Sequence, residues 1–160
     1  AVAGAQRHEQ AGAVGVEARG VGSRRLAAGR DDSRRMATTM VAAVIQDGHA
    51  YIGNVGDSRA YWLPDAPGSE PRQLSTDDSF AAEQMREGMP RKDAETGPNA
   101  HAITRWLGID SPDDLTPHTA SLQLVEDGWL MLCSDGLWNY CSDAAALRDL
   151  VASTVAASEQ

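Results

Sequence analysis

The segment Ala37-Thr38-Thr39-Met40-Val41-Ala42-Ala43-Val44-Ile45 limits the fold more than any other. It is a continuous apolar run, short, rich in small and β-branched residues, and it closes on Asp47-Gly48. That composition suits a buried strand, and Asp-Gly at its end predicts a hairpin turn. Ala50-Tyr51-Ile52-Gly53-Asn54-Val55 is then the returning strand. A tight turn is expected at Gly56-Asp57-Ser58, and a further strand over Arg59-Ala60-Tyr61-Trp62-Leu63, stopped by Pro64. Asp65 to Pro71 reads as a loop and Arg72-Gln73-Leu74 as a short strand.

The last third is equally well patterned. Ala120, Leu122 and Leu124 alternate with Ser121 and Gln123, which predicts a half-buried strand. Glu126-Asp127-Gly128 turns the chain into a second buried strand, Trp129-Leu130-Met131-Leu132-Cys133. Leu147, Leu150, Val151, Thr154 and Val155 share one helical face, starting near Ser142 and Asp143. Between these regions Ser79 can cap a helix through Ala82, Met85 and Arg86, closed by Gly88. Met89 to Ala100 is polar, broken by Pro90, Gly97 and Pro98, and is expected to be a mobile surface excursion. Hairpins and helices without regular βαβ alternation predict an α+β fold built on antiparallel sheets.

Residues 1–35 differ from the rest. They are Ala, Gly, Val and Arg, with Leu26 the only large aliphatic, no aromatic, and no helical or strand period. Little area can be buried by such a segment, so weak order or a poorly packed helix is expected there. The division is thus a low-order stretch over 1–35 and a folded domain over 36–160. The chain begins at Ala1 rather than Met, which is expected of a processed chain or a fragment.

Composition narrows the function. A net charge of −9 repels nucleic acid and anionic membranes alike. No run of about 18 apolar residues is present to span a bilayer, and no stretch has the parts of a signal peptide. The two cysteines, Cys133 and Cys141, suit reduced structural thiols in a cytoplasmic protein. His8, His49, His101 and His118 have no spacing that suggests a shared metal, and the four tryptophans read as packing residues.

Two segments share one physical form. In Val55-Gly56-Asp57-Ser58 and in Leu132-Cys133-Ser134-Asp135-Gly136 an apolar strand ends in a carboxylate beside glycine. A strand end fixes a side chain closely, and hard divalent cations take oxygen ligands at such places. Asp-Ser and Asp-Gly are also ordinary turn residues, and local sequence leaves both readings open.

The joint pattern goes further. Ala-Thr-Thr-Met-Val-Ala-Ala-Val (37–44), Gly-Asn-Val-Gly-Asp-Ser-Arg-Ala-Tyr (53–61), Ile-Thr-Arg-Trp-Leu-Gly (103–108) and Leu-Cys-Ser-Asp-Gly-Leu-Trp (132–138) occur in this order. With these spacings residues 36 to 157 resemble the PPM-type, or type 2C, metal-dependent serine/threonine phosphatases of bacteria. The resemblance implies an antiparallel β-sandwich flanked by helices. It implies a cleft at one end of the sandwich holding two Mn²⁺ or Mg²⁺ ions on aspartates, where a metal-activated water attacks phosphorus without a phosphoenzyme. On it, Asp135 matches a metal-binding aspartate, and Asp57 matches one that in some members helps hold a third, weaker metal. Thr38, Thr39, Ser58 and Arg59 match positions read as structural. Residues 75–108 resemble the flap beside the active site, which influences substrate choice. The implied substrates are phosphoserine and phosphothreonine proteins, the products of bacterial serine/threonine kinases, with no nucleic-acid or membrane partner. The Gly-Asp-Ser-Arg and Ile-Thr-Arg-x-Leu-Gly matches favour this kinase-opposing branch over phosphatases of the sigma-factor-regulator type.

Several positions depart from the pattern. The Asp-Gly motif that precedes the Thr-Thr strand is absent from residues 1–35, where Asp31-Asp32 lack a following glycine, and no closing Asp-Asn motif is present. Asn139 stands where many members have an aspartate, Ala37 and Gly97 replace a glycine and a histidine, and Asp78 replaces another histidine. The expectation is therefore an incomplete domain, truncated at both ends and lacking appreciable activity as it stands. The alternative is a pseudophosphatase, a fold kept for binding with its metal site eroded.

Overall fold

The computed structural model describes residues 4–8, 20–24 and 37–158. Two antiparallel sheets make up the body. The hairpin read from the sequence is present as β3 (Ala37–Gln46) and β4 (His49–Val55), paired from Met40↔Val55 to Gln46↔His49. Its turn residues Asp47 and Gly48 have φ of 50° and 71°, the positive values that a two-residue turn matching strand twist requires. On the far side of β4 lies β8 (His118–Gln123), and beside β3 lies β2 (Gly20–Arg24). Where β4 stops, β7 (Leu107–Gly108) takes its place against Ala37 and Thr38. The second sheet runs β1 (Gly4–His8), β9 (Gly128–Cys133), β5 (Arg59–Pro64), β6 (Arg72–Gln73).

The inner faces of the two sheets form one core. Val41, Ala43 and Ile45 of β3 and Ala50 and Ile52 of β4 meet Ala60 and Trp62 of β5 and Leu130 and Leu132 of β9, with Leu124 at the rim. Helix α4 (Ala144–Ser158) covers the other face of the β5–β9 sheet. There Tyr61, Leu63, Met131 and Cys133 pack with Leu147 and with Trp138 from the short helix α3 (Asp135–Trp138). Because β5 is covered on both sides, each of its residues is buried, Arg59 included. Burying Cys133 pushes its thiol up to about 12, so it stays protonated and inert.

Four expectations are corrected. The run 37–45 is buried on one face only: Met40 and Val44 are 40% and 50% exposed, because no described helix lies over the outer face of β3 and β4. The helical face at the C-terminal end is narrower than read, with Leu147 fully buried and Leu150 47% exposed. The excursion 89–100 contains a helix, α2 (Arg91–Thr96), packed on α1 (Phe80–Arg86) through Ala81, Ala94 and Ala100. Ser79 caps α1 as expected, its hydroxyl accepting the Ala82 amide at 3.2 Å. Finally, the segment expected to have no regular period supplies strands β1 and β2, which pair with β9 and β3. Strand pairing is made by backbone groups, so a sheet edge can recruit a Gly- and Ala-rich segment that has no amphipathic signature. The remainder of 1–36, with Asp31 and Asp32, lies outside the described residues.

Candidate active site

Antiparallel pairing of β5 with β9 sets Arg59 opposite Cys133. Asp57 lies two residues before the first of these and Asp135 two residues after the second, so both carboxylates emerge at one end of the same sheet. Their proximity has an electrostatic signature. Burial, then the charge of Asp135 and that of Asp77, push the Asp57 carboxyl up to about 6. Asp135 itself is exposed.

The loop that carries Asp57 is fixed from four directions. Gly56 has φ of 96°, and a Cβ there would lie 2.3 Å from Thr39 Cγ2, so only glycine fits. Thr39 and Ser58 hydroxyls bond each other at 2.8 Å in the interior. The Gly56 amide donates to Asp78 Oδ2 at 2.9 Å. The indole Nε1 of Trp138 donates to the Asp57 carbonyl at 2.8 Å. Since Trp138 belongs to the helix that begins at Asp135, this one bond ties the two carboxylate-bearing segments together. Trp138→Phe is expected to cost about 1–2 kcal/mol by leaving a shielded carbonyl without its donor. The denaturant midpoint checks this, and an unchanged midpoint would show that the bond contributes nothing.

Arg59 lies behind this loop, 1% exposed. Its Nε donates to Asp77 Oδ2 at 2.7 Å, Nη2 to Glu95 Oε1 at 2.9 Å and Nη1 to the Tyr61 hydroxyl at 3.3 Å. The guanidinium also lies over the Trp138 ring, 3.8 Å from its centroid. Burial works against its charge, but Asp77 and Tyr61 together more than offset this and keep it protonated. The structural role read for Arg59, Thr39 and Ser58 agrees with these contacts.

A second ion-paired cluster, of Asp78, Arg105 and His118, has no signature in the sequence. Asp78, buried, accepts on Oδ1 from Arg105 Nη1 at 3.2 Å and pairs with His118 Nε2 at 2.7 Å. Arg105 is held in turn by the carbonyls of Asp114 and Thr116. Nothing in the spacing of His118 flags a partner forty positions away. Among the described residues no group of three or more His, Cys, Asp or Glu side chains is arranged to hold a metal ion. Asp57 and Asp135 are oxygen donors of the type hard cations take, but two in number.

An antiparallel sandwich that delivers paired carboxylates from strand ends, beside a helical flap, defines the class. The family model described as protein phosphatase 2C matches residues 5–160, and the chain belongs to that family. The match opens upstream of residue 36, where the motif resemblance begins. The chain is 33% identical over 130 residues to the serine/threonine phosphatase stp of Listeria welshimeri, covering 81% of this chain and 49% of that protein. It resembles the crystal structure of the serine/threonine phosphatase Stp1 from Staphylococcus aureus, with a TM-score of 0.62 and 31% identity over 71% of this chain and 43% of the other. It also resembles the catalytic domain of the phosphatase PstP in complex with 2 manganese ions, with a TM-score of 0.51 and 32% identity over 68% and 42% of the two chains. The chain thus spans about half the length of the curated relatives it matches.

Proposed function

We propose that this chain forms part of a metal-dependent protein serine/threonine phosphatase acting on phosphoserine and phosphothreonine proteins in the bacterial cytoplasm. The observation that carries the reading is the convergence of Asp57 and Asp135 at one end of the β5–β9 sheet, within a family of phosphatases. Asp57 and Asp135 are the residues we assign to Mn²⁺ or Mg²⁺, two ions in a complete domain. A bound divalent ion would lower the pKa of a coordinated water and offset phosphoryl charge. The protein's own part is to hold two carboxylates together against their repulsion. Burial and the neighbouring carboxylates raise the Asp57 carboxyl to about 6, and a bound cation would offset them.

The number of ligands among the described residues limits what they can hold. Mg²⁺-like ions take about six oxygens and release water reluctantly, so two carboxylates hold them loosely. Turnover of a phosphothreonine peptide by the 160-residue chain with Mn²⁺ is expected to be close to background. Mn²⁺ binding, followed by electron paramagnetic resonance, is expected to be weak, with Kd on the order of 10⁻⁴–10⁻³ M. Asp135→Ala and Asp57→Ala should each weaken it further. Strong Mn²⁺-dependent turnover that survives Asp135→Ala would overturn the site assignment. So would Mn²⁺ binding indifferent to both replacements.

The lack of a third ligand among the described residues favours one second reading, a pseudophosphatase that binds phosphoproteins without hydrolysing them. Phosphopeptide binding at micromolar concentration with no Mn²⁺ dependence would select it.

A further inference from the structure

We propose that Glu95 is a positioning residue: a latch that fixes the flap helix α2 against the end of the sandwich where Asp57 and Asp135 emerge. The proposal follows from how the flap is attached. Its interior is Ala81, Ala94 and Ala100 with a half-buried Met85, a cluster of small side chains that buries little apolar area. Hydrophobic packing therefore does little to fix α1 and α2 onto the body. At its base the flap is joined by the Ser79–Ile103 bridge and by the Phe80 amide donating to the Ala102 carbonyl. Those bonds close the loop on itself and leave the orientation of α2 free.

Two side chains of α2 hydrogen-bond to the sandwich among the described residues. Arg91 donates to Gln73 Oε1 at 3.2 Å in an exposed position, where water competes. Glu95 is 13% exposed and its two oxygens accept three donors. Oε1 takes Arg59 Nη2 at 2.9 Å and Arg91 Nη1 at 3.0 Å, and Oε2 takes the Ser142 hydroxyl at 2.7 Å. Arg59 is the buried cation stacked on Trp138, and Trp138 holds the Asp57 carbonyl. Ser142 leads into α4. One carboxylate thus joins flap, β5 and the start of α4, and does so through charge-assisted bonds in a shielded place, where they are strongest. With the latch closed, α2 stands in one position beside the carboxylates. Opening it frees α2 while Arg59 keeps its bonds to Asp77 and Tyr61, so β5 stays in place.

The substrate consequence rests on the phosphatase reading: a fixed flap presents one surface to the protein around a phosphorylated residue and has no bearing on a bare phosphate ion. The test uses the 160-residue chain with Glu95→Gln, which keeps size and removes charge, and Glu95→Ala. Hydrogen exchange followed by mass spectrometry is expected to accelerate about tenfold over residues 80–102 in both variants, with β5 and β9 changing less than about twofold. Unchanged flap exchange in Glu95→Ala overturns the latch. So does acceleration of flap and core strands in equal proportion, which is what a general loss of stability produces. In parallel, affinity for a phosphothreonine peptide is expected to fall about fivefold or more in Glu95→Gln, with inorganic phosphate binding unaltered. If the parent chain binds neither peptide nor phosphate, the substrate consequence fails, and the exchange result still decides the latch.

Discussion

Replacing Arg59 by alanine is expected to destabilise the fold by about 3–5 kcal/mol, enough to unfold much of the chain at 37 °C. The size comes from what is left behind more than from what is lost. Asp77 is 3% exposed and receives its 2.7 Å bond from Arg59, and Glu95 loses its innermost donor. Gln73 still donates to Asp77 Oδ1 at 2.9 Å, but a neutral amide does not compensate a shielded carboxylate. The Trp138 ring also loses the cation stacked on it, and through Trp138 the Asp57 carbonyl loses part of its support. Chemical denaturation near pH 7 measures the loss. A paired replacement, Arg59→Met with Asp77→Leu, removes both charges and is expected to recover most of the stability while leaving the Glu95 link broken. A loss below about 1 kcal/mol in Arg59→Ala would mean that water reaches this network and that its apparent burial has no energetic meaning.

Asp57→Asn is expected to act in the opposite direction. A carboxyl moved from 3.8 to about 6 binds its proton more tightly in the folded state than in the unfolded chain. Between these values the unfolded chain gives up its proton first, so stability falls as pH rises through the window from about 4 to 6. Above it the folded state carries a penalty of roughly 3 kcal/mol at most, at about 1.4 kcal/mol for each tenfold change in proton affinity. The amide removes the charge. Without divalent cations the variant should therefore be about 2–3 kcal/mol more stable than the parent at pH 7.5 and little different at pH 4. Thermal melts in the presence of a chelator at both pH values check the sign and the window. Added Mn²⁺ should reverse the order, stabilising the parent and not the variant. A variant less stable than the parent at pH 7.5 would show that Asp57 makes attractive contacts that outweigh its burial and its repulsion from Asp135. A variant more stable than the parent would be the pattern expected when a carboxylate is kept for a ligand.

Much of the body was legible in the sequence because its signals are local. Asp47-Gly48 supplies both positive-φ residues of a tight hairpin turn, so β3 and β4 follow from a stretch of eighteen or so residues. Pro64, Gly128 and the alternation at 120–124 bounded β5, β8 and β9 in the same way. The two carboxylates were legible as well, since each ends an apolar strand beside glycine and the four motifs occur in order. Helix α2 was not, because its residues are polar and its stability comes from packing Ala94 on α1 and from Glu95. Neither was the pairing of Asp78 with His118, nor the junction of Glu95 with Arg59 and Ser142, whose members lie 36 to 47 positions apart.

The sequence alone determined strands β3, β4, β5, β6, β8 and β9, where they turn, and that Asp57 and Asp135 stand at strand ends, because propensity, alternation and turn chemistry act over a few neighbouring residues. It determined the family through motifs fixed in order and spacing. Only the tertiary structure decided that these carboxylates share one end of one sheet, since that depends on the register of β5 against β9, strands seventy residues apart. It also decided that Arg59 is a buried hub rather than a surface charge. A guanidinium becomes a hub when distant segments bring Asp77, Glu95, Tyr61 and Trp138 around it, and no local pattern encodes that convergence.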